Sequence, residues 1–492
     1  MMHNRFKMLF EGFARQLRED SFACLSFSAL LVWMFLLFWS DTLATGAWVT
    51  GLNLLQARSL WLGSEAVVLG VTFVLVVTGR LRADHDRSLV ATSSAIMFLG
   101  TSIFLYSTVI ESPVSILIIG VITCGVASAG LLYRSGLHLS QKGPKRLLLN
   151  VALALLLASC LDSIILLLPE ILRYLLANLM PVLVGLFLLV SLKRLPGERG
   201  DTASADRVKG SSASRRAMLI RVVLLPLIVG LSYGLMQRLA TETAYPVVAD
   251  SGLNALAIFI SAILIFVLAT FFESAGLIKA ICFVTIPVIG IAYVLLPLLP
   301  TSYMAAQSIC IIGFNSFYFM VWALWSGHQK GMVLERRFLL GLFVLVLAES
   351  LGSVIGDRTL AFVTHSSQTP TIISLIVVYL LLMAGFFSFD RTFVAGTSID
   401  LDDNIDEVLL RPEPVVGSLE SIIKRYGLSA READVFRLLA RGRNRTNISK
   451  TLFISDNTTR THMRNIYRKL GVHSQQVLLD LLDSEQAQER KT

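Results

Sequence analysis

Arg460, Thr461 and Arg464 carry the most specific chemistry in this chain. On a helix turning about 100° per residue they fall, with Asn457 and Arg468, within roughly 100° of one another. Thr459, Met463, Ile466 and Leu470 gather in a separate stripe of roughly 60°. One face is therefore basic and polar, and the other is fit to pack. A guanidinium can bridge guanine N7 and O6, and a threonine methyl can meet the methyl of thymine. The helix N-terminus adds backbone donors suited to a phosphate. The bland alternatives are a solvated surface or a basic patch that touches lipid headgroups.

The elements that would position this face are legible around it. Ser429-Ala430-Arg431-Glu432 has the capping-box spacing that starts a helix. Val435, Leu438 and Leu439 give that helix an apolar face, and Gly442 stops it. A second short helix fits Thr446 to Phe453, with Ile448 and Leu452 on one side. Ser455 caps a third, which runs to about Leu470 and is closed by Gly471. Ser474 to Leu482 is a further capped amphipathic helix with Val477, Leu478, Leu481 and Leu482. Residues 428–473 carry ten basic against three acidic residues, a net of +7. The preceding residues 390–416 carry seven acidic against two basic, a net of −5, and too few apolar side chains for a core. A compact basic unit behind an acidic tether suggests a nucleic-acid module.

The segments LSAREADVFRLLARG and ISDNTTRTHMRNIYRKLGV resemble the LuxR/GerE-type helix-turn-helix family. The resemblance implies a four-helix domain that docks its third helix in the major groove of double-stranded DNA and dimerises through its last helix. It places Arg460, Thr461 and Arg464 at base-edge positions. Thr458, His462, Asn465 and Lys469 take positions of backbone contact or recognition-helix packing. The second helix departs from the family, with Asn444-Arg445-Thr446-Asn447-Ile448-Ser449 where Ser-Asn-Lys-Glu-Ile-Ala is usual. Arg445 then stands in for a polar phosphate contact.

The rest of the chain is of another kind. Of 492 residues, 54% are hydrophobic and 16% charged, and the mean hydropathy is +0.69. Average soluble proteins carry about 25% charged residues. Apolar runs near 21–40, 60–79, 88–110, 113–133, 147–168, 171–192, 217–237, 252–272, 277–298, 302–325, 338–356 and 370–389 are long enough to cross a bilayer as helices. Basic residues concentrate in alternate loops, which puts both termini in the cytoplasm. Arg58 is the lone basic residue of the first loop in this reading. The Gly-, Ser- and charge-rich stretch 193–216 divides the runs six and six, a layout that resembles the major facilitator superfamily. The loop Gly79-Arg80-Leu81-Arg82-Ala83-Asp84 is similar to that superfamily's basic motif, departing from it at His85-Asp86-Arg87.

The predicted class is all-α. A twelve-helix membrane bundle of six plus six carries a C-terminal four-helix LuxR-type domain. Its parts are a cytoplasmic segment 1–20, membrane halves 21–192 and 217–389, a linker 193–216, an acidic tether 390–416 and a DNA-binding domain 417–492. No cleaved leader is expected, because the first apolar run follows a 20-residue charged segment. Ionisable residues inside spans are expensive and functional by default. Asp162 and Glu349 are therefore candidates for a membrane ligand site, against the alternative of hydrogen bonds that hold helices together. Asn178, Asn254, Gln307 and Asn315 add neutral polar points. Five dispersed cysteines lie in apolar runs, so neither a metal site nor a disulfide framework is expected. No phosphate-cradling loop or partnered nucleophile points to an enzyme or a cofactor. The favoured expectation is a one-component regulator in the inner membrane, partnered by duplex DNA, lipid, a second copy of itself and an unknown small-molecule signal. The rival is a secondary transporter with an accessory DNA-binding domain.

Overall fold

The computed structural model describes residues 20–39, 43, 54–80, 86–110, 112–193, 220–241, 248–271, 276–298, 303–326, 332–363, 369–389, 423–440, 448–449, 452 and 456–472. Every regular element among them is a helix. The first compact unit holds α1 (Asp20–Trp39), α2 (Leu54–Val77), α3 (Asp86–Val109), α4 (Val114–Ser140), α5 (Pro144–Leu166) and α6 (Glu170–Lys193). It continues with α7 (Leu225–Thr241), α8 (Val248–Phe271), α9 (Ile286–Leu298), α10 (Tyr303–Ser326), α11 (Met332–Val363) and α12 (Thr369–Phe389). Counting the π-helical turns Ile220–Leu224 and Ile281–Thr285 that lead into α7 and α9, eleven of these reach the length and apolarity needed to cross a membrane. In α12 the apolar stretch is the shorter Thr371–Phe386.

Unlike those of a soluble protein, these helices are apolar on the outside as well as the inside. Leu175, Leu179, Val182 and Leu186, spaced along one side of α6, are exposed, as are Val67, Val71 and Val74 of α2. Inside lie Trp33, Trp61, Trp322, Phe27 and Phe38. Lipid tails are as apolar as leucine, so such a bundle holds together by close packing and internal hydrogen bonds. The two six-helix sets meet chiefly along α2 with α11 and α5 with α8. The tightest approach is α7 against α11. A methyl group on Gly234 would collide with the carbonyl of Glu349, and one on Gly352 with the carbonyl of Leu231.

Cross-connections reinforce both ends of the bundle. At one end Tyr133 Oη donates to Glu335, whose carboxylate lies 3.9 Å from Arg134, and Arg336 reaches the carbonyl of Val77 at 3.5 Å. These ties join α2 and α4 to the start of α11. At the other end Arg238 of α7 pairs with Asp357 of α11. Within the first set, Asp20 is held by Lys142 at 2.7 Å and by Asn150 at 2.8 Å.

The charged ends explain why the hydropathy reading stops short. It sets the eleventh run at 338–356, whereas α11 extends over Met332–Val363 because Glu335, Arg336 and Asp357 find partners inside the protein. Arg58 needs a larger correction. It is a buried residue of α2, not a loop residue. Its Nε donates to the carbonyl of Phe38 at 2.9 Å, its Nη1 to Gln237 Oε1 at 2.5 Å, and its guanidinium sits over the Trp39 ring. Asp162 is also displaced from the mid-span position read from sequence. It lies about one turn before the end of α5.

The second unit contains a helical turn at 423–425, α13 (Ala430–Ala440) and α14 (Asp456–Leu470) around its own core. Val435, Phe436 and Leu439 of α13 pack with Ile448 and with Ile466 and Leu470 of α14. Most of the expected second helix, the Gly442 stop, the Ser455 cap, the last helix at 474–482, the N-terminal segment and both linkers lie outside the described residues.

Candidate nucleic-acid interface and membrane cavity

The capping box at the start of α13 is formed in both directions. Ser429 N donates to Glu432 Oε2 at 2.9 Å, and Glu432 N donates to Ser429 Oγ at 3.3 Å. Glu432 has a second task. Its Oε2 accepts from Lys469 Nζ at 2.7 Å, and that ammonium also donates to the carbonyl of Gly427 at 2.8 Å. One lysine near the end of α14 thus ties it to the start of α13 and to the turn before it. The Lys469 hydrogen bond, followed by the Ser429 backbone donor, holds the Glu432 carboxyl below the ordinary glutamate range. Partial burial pushes the Tyr467 phenol up. Two glycines in the left-handed region close the flanking turns. Gly427 has φ 59° with Leu428 N bonded to Ile423 O, and Gly471 has φ 70° with Val472 N bonded to Tyr467 O.

This packing sets which side of α14 faces out. Thr459, Ile466 and Leu470 are buried, while Thr458, Arg460, Thr461, Arg464, Arg468 and Lys469 are exposed. His462 and Asn465 are half-buried at the edges. Among the described residues neither Arg460 nor Arg464 has an ion-pair partner. Arg468 leans on Asn465 Oδ1 at 3.5 Å. Arg445 lies outside the described residues.

The bundle holds a cavity of about 60 Å³ that is partly open. Two carboxylates line it, Glu65 from α2 and Glu349 from α11. Each sits near the middle of its helix, on the pair of helices that joins the two sets. They are 1% and 4% exposed, and Oε1 of each has no hydrogen-bond partner. Glu65 Oε2 accepts from Ser128 Oγ at 3.2 Å, and that hydroxyl in turn accepts from Trp61 Nε1 at 3.1 Å. Aromatic rings supply much of the remaining wall. Tyr233 stacks on Phe314 at 3.7 Å, Trp39 meets Trp61 edge-on at 5.4 Å, and Trp39 Nε1 donates to Tyr233 Oη at 3.3 Å. Asn254 and Asn315 are the neutral polar residues of the wall; Asn254 Nδ2 donates to the Trp39 carbonyl at 3.3 Å, leaving its Oδ1 unpartnered. Asp162 is buried with an unpartnered oxygen of its own but does not line this cavity, so the two acidic candidates are not brought together.

Residues 427–482 match the family model for bacterial regulatory proteins of the luxR family. The chain is 41% identical over 56 residues to the spore germination protein GerE of Bacillus subtilis, and that match spans 76% of GerE and 11% of this chain. The chain belongs to the LuxR family of bacterial regulators. It is also 37% identical over 81 residues to a nitrate/nitrite response regulator homologue of Haemophilus influenzae, covering 16% of this chain and 36% of that protein. An HTH-type transcriptional regulator of Mycobacterium tuberculosis is 32% identical over 93 residues. The LuxR-family chain spans about a tenth of the length of that mycobacterial relative. The helical bundle has solved counterparts. FucP, a major facilitator superfamily transporter, superposes with a TM-score of 0.52 at 14% identity over 75% of this chain and 98% of its own. The human organic anion transporter MFSD10 does so with a TM-score of 0.53 at 15% identity over 76% of this chain and 99% of its own. The membrane part of this LuxR-family protein has the major facilitator fold.

Two functional candidates escape the sequence reading. Glu65 carries the same signal as Glu349, an ionisable residue inside an apolar run, and the rule that singles out Glu349 finds it too. Arg58 had no such signal, because it stands at the edge of its run among polar neighbours.

Proposed function

We propose that this protein is a membrane-bound one-component transcription regulator of a bacterial cytoplasmic membrane. The observation that carries the reading is the union, in one chain, of a LuxR-family unit with an open arginine face and a major facilitator bundle whose aromatic-walled cavity holds two buried carboxylates. Arg460, Thr461 and Arg464 read base edges, and Thr458, Asn465 and Arg445 contact the phosphate backbone. Lys469 serves this by holding α14 at its angle to α13. Two copies pair through the last helix, within a DNA-binding domain 417–492. Both termini lie in the cytoplasm, and residues 390–416 form the tether. The cavity receives the signal. An occupant that favours one arrangement of α2 and α11 over another shifts the population of the whole bundle, to the extent of its difference in affinity for the two.

The test is a transcriptional reporter in cells carrying the full chain. Arg464→Ala should abolish reporter control while the protein still inserts in the membrane, at a cost of about 1–3 kcal/mol in specific binding. Normal control by Arg464→Ala would refute the reading. The transporter reading has the fold and the cavity in its favour. It requires accumulation of a substrate in vesicles that Glu349→Gln removes.

A further inference from the structure

The wall of the membrane cavity limits what it can hold. Among the described residues its ionisable groups are Glu65 and Glu349, with the phenols of Tyr233 and Tyr318. Both carboxylates present a buried, unpartnered Oε1. A buried carboxylate oxygen without a donor is costly, and a native protein keeps one only for a reason. Among the described residues the cation whose charge acts on Glu349 is Arg58. Its guanidinium is already engaged by Phe38 O, Gln237 and the Trp39 ring. Among the described residues no cation acts on Glu65, so its negative charge is uncompensated when it is ionised.

The rest of the wall says what should supply the missing charge. Trp39, Trp61, Tyr233, Phe314, Tyr318 and Phe319 all border the cavity. The negative faces of such rings attract a cation by about 0.5–2 kcal/mol each, more strongly when water is absent. An anion would meet the carboxylates and is disfavoured. A sugar needs many hydrogen-bond partners, and Asn254, Asn315 and the phenols are too few. A hard metal ion takes six or more oxygen ligands, and no group of three metal-binding side chains occurs among the described residues.

We propose that this cavity is a binding site for the charged head of a small monovalent organic cation, held between Glu65 and Glu349, with the cation's apolar or aromatic body lying against the aromatic wall toward the cavity's open side. The assignment deepens the reading of the membrane part as the regulator's input and rests on it for its biological consequence. Cation binding itself is measurable without it.

The experiment uses the purified full chain in lipid nanodiscs and three single-ring probes, benzyltrimethylammonium, acetophenone and phenylacetate. The quaternary ammonium keeps its charge at every pH. Binding is read by calorimetry and by quenching of tryptophan fluorescence, since Trp39 and Trp61 border the site. The expected result is at least tenfold tighter binding of the cation than of the neutral or anionic probe. Glu65→Gln and Glu349→Gln should each remove most of that preference. Equal binding of the three probes by the wild-type protein would overturn the assignment, whatever the variants do. So would a cation preference indifferent to both substitutions. A reporter assay in cells separates the two ideas. Cation binding with no change in transcription leaves the site standing and sinks the sensor reading. A reporter that answers another signal, in a protein without cation preference, does the reverse.

Discussion

The tie between Glu432 and Lys469 allows a quantitative test of how the DNA-binding unit is held together. Glu432→Ala removes the carboxylate that caps α13 and the acceptor for Lys469. Loss of a cap costs about 0.5–2 kcal/mol. Loss of a charge-assisted hydrogen bond at a side chain only 8% exposed adds about 1.5–3 kcal/mol. Allowing for overlap, the sum is about 2–4 kcal/mol. A fragment of this size has only about 4–11 kcal/mol to lose, at roughly 0.05–0.15 kcal/mol per residue. At about 4–8 °C per kcal/mol, the melting temperature of fragment 417–492 should fall by roughly 10–25 °C. Lys469→Ala should cost less, about 1–2 kcal/mol, because the cap survives.

The double-mutant cycle isolates the pair. An exposed ion pair couples by about 0.2–1 kcal/mol, so a value of about 1 kcal/mol or more is expected here. The pH dependence has a definite sign. The carboxyl is depressed in the folded state, so its contribution is complete above the unfolded glutamate value of about 4.3 and is lost as pH falls through the lower folded value. Glu432→Gln should lack that acid-side loss. Urea unfolding of the five proteins, the four of the cycle and Glu432→Gln, between pH 3 and 7 measures all of this. A coupling under about 0.3 kcal/mol, with parallel pH profiles for wild type and Glu432→Gln, would refute the reasoning.

Other outcomes follow from the same geometry. Lys469→Gln should leave the salt dependence of DNA binding unchanged if the residue acts as a tie, whereas loss of a phosphate contact would reduce the slope of log affinity against log salt by about one. Gly234→Ala drives a methyl into the Glu349 backbone, so α7 and α11 should separate at a cost of about 1–3 kcal/mol, seen as a lower melting temperature in detergent. Glu335→Ala strips Tyr133 and Arg134 of their partner, and hydrogen exchange should rise at the end of α4 and the start of α11.

What the sequence reveals depends on the range of the interaction. The capping box, the glycine that closes α14 and the split of that helix into a buried and a basic face all rest on residues within a few positions of one another. Local chemistry writes them directly into the chain. The role of Lys469 is not written so, because its carboxylate partner belongs to another helix and only the fold brings the two together. The membrane part shows the same division. Twelve apolar runs and the six-plus-six layout are legible, and eleven of the helices meet the length and apolarity of a span. The cavity is not legible, because Glu65 and Glu349 stand on helices far apart in the chain, and no periodicity couples them.

Arg58 shows why a charge inside a membrane protein needs its partners before its role can be read. Counted as a loop residue, it is a small exception to the bias of basic residues toward one side. Placed in α2, it becomes part of the electrostatics of the cavity. A lone guanidinium in hydrocarbon is costly, and it persists there because Phe38, Gln237 and Trp39 satisfy it and Glu349 lies within reach of its field. Those partners come from α1, α7 and α11, so any shift of these helices against α2 changes how well the arginine is satisfied. Arg58→Met keeps the bulk and removes the charge. It should leave Glu349 without that compensation, and so strengthen the preference of the cavity for a cation. A variant that bound benzyltrimethylammonium more weakly than wild type would show that the arginine organises the site and does not merely offset its charge.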